Sequence, residues 1–180
     1  MDPFALMGLE RRYDLDQIEL ERRYRELQRA LHPDRHASAP AAERRLTLQK
    51  AVEVNEAYRT LRDDQRRAEA LLAALGGGAQ GQSGPSEPAD PELLMEMMEL
   101  RESLSEAKAD KNASEVSLLA ERVRSEHAAV RARLVREFAA FSGGQNTPAS
   151  LAPARALVHR LKYYQRFLDE VAVFEDEALS

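Results

Sequence analysis

Apolar residues recur along this chain three and four positions apart and avoid the strict alternation of a strand, in stretches dense in Leu, Ala, Glu and Arg. That pattern predicts helices throughout. A short helix is expected near Pro3, followed by a loop and then a longer helix capped by Asp14, with Gln17 at its third position. The longer helix runs to Leu31, and Pro33 stops it. At about 100° per residue, Leu20, Tyr24, Leu27 and Leu31 share one stripe, and Arg22, Arg25 and Arg29 lie nearly opposite. One face packs and the other is a basic ridge. Beyond a loop from His32 to Pro40, another helix carries Leu46, Val54, Ala57 and Leu61 on its stripe, flanked by Asn55 and Tyr58.

The second half predicts three more helices. The first opens at Asp90-Pro91, where Asp suits the cap and Pro the first helical position, and ends near Asp110. The second runs from Asn112, with Glu115 as capping-box partner, to Phe141 before Gly143-Gly144. The third begins near Thr147-Pro148, with Pro153 pointing to a late or irregular first turn. Short connections favour an antiparallel three-helix bundle. Between the halves, GGGAQGQSGPSEPAD from Gly76 to Asp90 offers almost nothing to bury and reads as a linker. The expected architecture is therefore all-α: residues 1–75 as an antiparallel helix pair plus a short helix, 76–90 as linker, and 91–180 as the bundle.

Composition narrows the chemistry. The 180 residues contain no Cys, which removes disulfides, thiolate nucleophiles and cysteine-held metals or clusters. His127 and His159 fall on different expected helices and form no i,i+4 ligand pair, so neither a metal site nor a cofactor is expected. Residues 1–75 hold 14 basic and 14 acidic side chains and the remainder 12 and 17, so the acidic excess lies in the second half and nucleic acid is not an expected partner. No run reaches the roughly 18 apolar residues of a membrane span, and Met-Asp-Pro-Phe lacks a signal-like pattern; a cytoplasmic protein without membrane contact is expected.

The loop after the basic helix reads His32-Pro33-Asp34. This tripeptide between two amphipathic helices, preceded by the Arg22, Arg25 and Arg29 ridge, resembles the J-domain. Pro33 biases His32 towards an extended backbone and stiffens the loop, which reduces the ordering entropy lost on docking. Asp34 offers a carboxylate for a charge-assisted bond, and Arg22, Arg25, Arg29 and Arg35 suit an acidic partner surface. Glu26 interrupts the basic run. The resemblance implies that His32, Pro33, Asp34 and these arginines contact a 70-kDa heat-shock ATPase. Taken alone, the tripeptide also suits an ordinary helix stop with a solvated basic face.

The second half carries Leu93-Leu94-Met95-Glu96-Met97-Met98-Glu99-Leu100-Arg101-Glu102, and with Phe4, Leu27-Gln28, Asn55-Glu56-Ala57-Tyr58 and Phe167-Leu168-Asp169 it is similar to the HscB family of iron-sulfur co-chaperones. Leu93, Met97, Leu100 and Leu104 form one packing stripe, and Leu94 and Met98 form a second apolar set beside Met95 and Glu99 and continued by Glu102. On the last helix Leu157, Leu161, Tyr164 and Leu168 form the stripe, leaving Tyr163, Phe167 and Phe174 on a flank. A helix apolar on two sides is also what a more deeply buried helix would show. The family implies that Leu94, Met95, Met98, Glu99, Glu102 and Phe167 dock an IscU-type scaffold, and that an HscA-type chaperone is the ATPase partner. The implied protein is an activator of that ATPase, not an enzyme, and it requires no cofactor. A J-domain co-chaperone for another client, a metal enzyme and a purely structural bundle are the competing readings.

Overall fold

The computed structural model describes residues 1–36, 38–76, 90–141 and 149–178. The helices are α1 (Pro3–Met7), α2 (Gln17–Ala30), α3 (Ala41–Arg62), α4 (Asp64–Ala74), α5 (Pro91–Ala109), α6 (Ala113–Ala140) and α7 (Ala152–Ala178), with a 3-10 turn at Pro33–His36. The described residues contain no strand, in keeping with the all-helical expectation. The chain divides into two compact units, Met1–Gly78 and Ala79–Ser180. Nearly all of the expected linker, residues 77–89, lies outside the described residues. No helix among those described is long and apolar enough to cross a membrane.

In the first unit Asp2 caps α1, its carboxylate accepting from the Phe4 and Ala5 N–H groups, and α1 buries Phe4 and Met7. The helix expected to start after Asp14 starts two residues later. Asp16 is the cap, its carboxylate accepting from Ile18 N–H at 2.8 Å and Glu19 N–H at 3.4 Å. The delay follows from Tyr13, whose ring is buried and whose carbonyl accepts from Leu15 N–H at 3.0 Å, so a turn occupies these positions. Leu46 does not join the packing stripe of α3 and is 51% exposed. The first turns of α3 lie beyond the buried set Val54, Ala57 and Leu61, so nothing covers Leu46.

Helix α3 ends where periodicity alone places no break. Asp63 is extended and serves both helices: its N–H donates to Arg59 O, and its carboxylate accepts from Arg66 N–H at 2.8 Å. Arg67 then folds back, donating to Leu61 O at 2.7 Å, pairing with Asp64 and stacking over the Tyr13 ring at 4.9 Å. A buried guanidinium thus serves the terminal carbonyls of α3, groups that no helical N–H can reach.

The second unit follows the expected boundaries closely. Asp90 caps α5 with Pro91 in its first turn, and Asn112 caps α6 by accepting from Glu115 N–H at 3.1 Å. Residues 142–148, which include the expected start of the last helix at Thr147-Pro148, lie outside the described residues. Helix α7 begins at Ala152, which puts Pro153 in the first turn, where its missing N–H has no helical partner to lose. Leu93, Met97, Leu100 and Leu104 of α5, Val116, Leu119, Val123, Val130, Leu134 and Phe138 of α6, and Leu157, Leu161 and Tyr164 of α7 make the core.

Lys111 joins α5 to α6 with a φ of 52°, in the left-handed region. Its N–H donates to Lys108 O at 3.2 Å and the Asn112 N–H to Ala107 O at 2.9 Å, the paired bonds of a Schellman turn, whose central position favours Gly. Lys111→Gly is expected to raise the unfolding free energy of this unit by about 1 kcal/mol. A urea titration showing an unchanged or lower midpoint would refute that assignment of strain.

Candidate functional site

The turn after α2 exposes Pro33, Asp34 and Arg35, leaves His36 half-buried, and buries no side chain fully. The Asp34 side chain is 91% exposed, free to meet a partner, and its carboxylate stands 3.6 Å from His32 Nδ1. The Asp34 N–H donates to the same Nδ1 at 3.3 Å, a bond that needs that nitrogen unprotonated. Arg35 N–H donates to His32 O at 3.0 Å and closes the 3-10 turn. His32, Pro33, Asp34 and Arg35 therefore form one projecting unit. Arg22, Arg25 and Arg29 are exposed along α2, which leads into it.

That face is not purely basic. Arg22 bridges Glu19 and Glu26 at 2.6 Å each, Arg23 reaches Glu19 at 3.0 Å, and Arg25 reaches Glu21 at 2.8 Å. The bonds from Arg22 and then Arg23 hold Glu19 below its ordinary pKa, and the Glu19 bond chiefly holds Arg22 above its own. Among the described residues Arg29 has no ion pair, and Arg35 makes none with a carboxylate; its side chain points back to Arg29 O at 3.4 Å. The unneutralised positive charge sits at the loop end of the ridge.

A polar and aromatic seam sets the rotation of α2 on α3. Tyr24 and Tyr58 stack with centroids 4.0 Å apart and planes 11° from parallel. Asn55 Oδ1 accepts from Tyr24 OH at 3.0 Å and Gln28 Nε2 at 3.2 Å, and Tyr58 OH donates to Glu21. That donation, joined by the bond from Arg25, lowers the Glu21 pKa, and the same contact raises that of Tyr58. Asn55 and Tyr58 flank the stripe of α3 in sequence, but pattern alone does not predict that they supply the seam.

On α5, Leu94, Met95, Met98, Glu99 and Glu102 share an exposed face, with Met95 65% and Met98 71% exposed. The opposite face is seated by Leu93, Met97, Leu100 and Leu104, so the second apolar set is surface and not extra core. Polar ties to α7 hold this rotation: Tyr164 OH donates to Glu96 at 2.8 Å, Arg160 lies 3.4 Å from Glu96, and Lys108 lies 3.1 Å from Glu170. Burial, with the Glu96 bond second, pushes the Tyr164 pKa up.

Phe167 does not belong to that exposed face. It is 0% exposed and part of the bundle core, whereas Leu168, expected on the packing stripe, is half-buried. The buried arc of α7 turns along the helix, from Ala154 and Val158 near its start to Tyr164, Phe167 and Val171 later, and a straight stripe misplaces Phe167. No cluster of three or more His, Asp or Glu side chains suited to a metal occurs among the described residues.

Comparison with known proteins matches both units. Residues 2–70 match the DnaJ domain family and residues 89–172 the HSCB C-terminal oligomerisation domain family. The chain is 35% identical to the co-chaperone protein HscB homolog of Paraburkholderia phymatum, over 93% of this chain and 90% of the relative. It is also 35% identical to the homolog of Aromatoleum aromaticum, over 99% and 93%. Among solved structures, the chaperone HscB from Vibrio cholerae aligns with a TM-score of 0.79 and 32% identity, covering 98% of this chain and 99% of that one.

The seam generates two expectations. Asn55→Ala leaves the half-buried Tyr24 OH without its acceptor, while Gln28 Nε2 keeps Tyr24 OH as a partner, and is expected to lower the stability of the first unit by about 1 kcal/mol, read by urea denaturation. Because the folded pKa of Glu21 is depressed, its contribution is complete above the ordinary value of 4.5 and lost as pH falls through the folded value. Thermal midpoints of the unmodified protein and Tyr58→Phe should therefore converge on acidification; a constant gap down to strongly acidic pH would count against the Glu21 bond.

Proposed function

Because the chain belongs to the HscB family of J-domain co-chaperones, we propose that it stimulates the ATPase of an HscA-type 70-kDa heat-shock chaperone and delivers an IscU-type iron-sulfur scaffold to it. The observation that carries this reading is the exposed His32-Pro33-Asp34 turn at the end of an exposed arginine face. In this reading Arg29 and Arg35, which hold the unpaired charge, steer an acidic chaperone surface into place, and Asp34 makes a charge-assisted bond to a cationic group there. Arg22 and Arg25 exchange their intrahelical carboxylates for those of the partner. Such exposed pairs contribute little to folding, so the exchange costs the fold little.

The exposed face of α5 supplies the second contact, with Leu94, Met95 and Met98 as the apolar centre and Glu99 and Glu102 as an acidic rim. Phe167 has no direct part in this scheme, since reaching it would open the bundle core. Holding scaffold and chaperone on one chain raises the effective concentration of one at the other without any new bond. The protein acts here as an activator and performs no hydrolysis itself.

Steady-state ATP hydrolysis by the chaperone, with and without scaffold, tests both contacts. Asp34→Asn is expected to reduce stimulation at least tenfold, about the value of one lost charge-assisted bond. Met98→Glu is expected to leave basal stimulation intact and abolish the additional effect of scaffold. Absence of stimulation by the unmodified chain would overturn the co-chaperone reading, and stimulation that scaffold never enhances would indicate a different client.

A further inference from the structure

The projecting turn buries no side chain fully, although His36 is half-buried, and polar contacts that can be named help to hold its shape. Apart from the bonds internal to the turn, two side chains reach backwards from it. His36 Nε2 lies 3.0 Å from Ala30 O, and Arg35 Nη1 lies 3.4 Å from Arg29 O. A carbonyl oxygen only accepts, so His36 Nε2 carries the proton and donates. Both acceptors belong to the last turn of α2, whose terminal carbonyls lack helical N–H partners and carry the negative end of the helix dipole.

The geometry points to His36 as a positioning residue that clasps the loop onto the end of α2 and fixes Pro33 and Asp34 relative to Arg29. The bond spans six residues and encloses Leu31 to Arg35, the whole His32-Pro33-Asp34 segment. It is the shorter of the two returns, and the Arg35 contact lies near the limit of hydrogen-bonding distance. The inference rests on the proposed co-chaperone activity for its consequence but not for its structural content. A loop already held in its docking shape loses less conformational entropy on binding, so the clasp acts on affinity and not on the stimulated rate at saturation.

The test compares the full-length protein with His36→Phe, which keeps a ring without the donor, and His36→Gln, whose amide N–H takes the place of Nε2–H. In the free protein, the Arg35 amide, which donates to His32 O, is expected to exchange with solvent several-fold faster in His36→Phe than in the unmodified protein or His36→Gln. In ATPase titrations, His36→Phe is expected to raise the half-saturating concentration about fivefold, the value of one ordinary hydrogen bond, with the same maximal stimulation. His36→Gln should restore it. The thermal midpoint should fall by no more than about 4–8 °C, the share of one hydrogen bond in a unit of this size. Equal exchange and equal half-saturation in His36→Phe would overturn the inference. So would a fall in maximal stimulation, which would make His36 a direct contact, or a midpoint lowered well beyond that share, which would make it a general stabiliser. If the unmodified protein fails to stimulate, the co-chaperone reading falls while amide exchange still decides the clasp.

Discussion

The exposed arginine face and the loop at its end depend on how α2 is rotated against α3, and apolar burial does little to set that rotation. Of the 14 residues of α2, only Leu20 is fully buried. One side chain fixes a point of contact but not an orientation about it. The Tyr24 and Tyr58 stack, with Asn55 accepting from both Tyr24 and Gln28, supplies the missing constraint. Hydrogen bonds are directional where burial is not, so this seam selects one register between two helices that would otherwise slide. A rotation by one residue, about 100°, would carry Arg22, Arg25 and Arg29 off the exposed side.

The same division of labour recurs in the second unit. Leu93, Met97, Leu100 and Leu104 seat α5 in the bundle, and the bonds from Tyr164 and Arg160 to Glu96 hold its rotation. Met95 and Met98 then have nowhere to go but outwards. Exposed thioether side chains forgo burial that their size would reward, and they adapt their shape readily to a partner. In both units a buried apolar stripe seats the helix and polar contacts aim its exposed face.

Charge on the aimed faces is moderated and not maximal. Three glutamates of α2 pair with three of its arginines, which leaves Arg29 and Arg35 nearest the turn as the unneutralised positions. Interleaved charges of this kind bring long-range attraction down and put more weight on local geometry, a balance that favours specificity over tight non-specific binding. On α5 the acidic Glu99 and Glu102 border an apolar centre instead, so the two faces differ in the chemistry they offer.

Sequence alone determined the helical class, the caps at Asp90 and Asn112, the packing stripe of α5 and the chemistry of the His32-Pro33-Asp34 turn, because each is encoded by residues within a few positions of one another. It also marked Leu94, Met95 and Met98 as surplus to one stripe. Only the tertiary structure decided which Asp caps α2, since burial of Tyr13 delays that helix from Asp14 to Asp16. It likewise left Leu46 uncovered, moved Phe167 into the core as the buried arc of α7 turns, and broke α3 from α4 where Arg67 returns to the Leu61 carbonyl. Periodicity records which side of a helix is apolar, but what covers that side, and how far along, depends on neighbours that are distant in the chain.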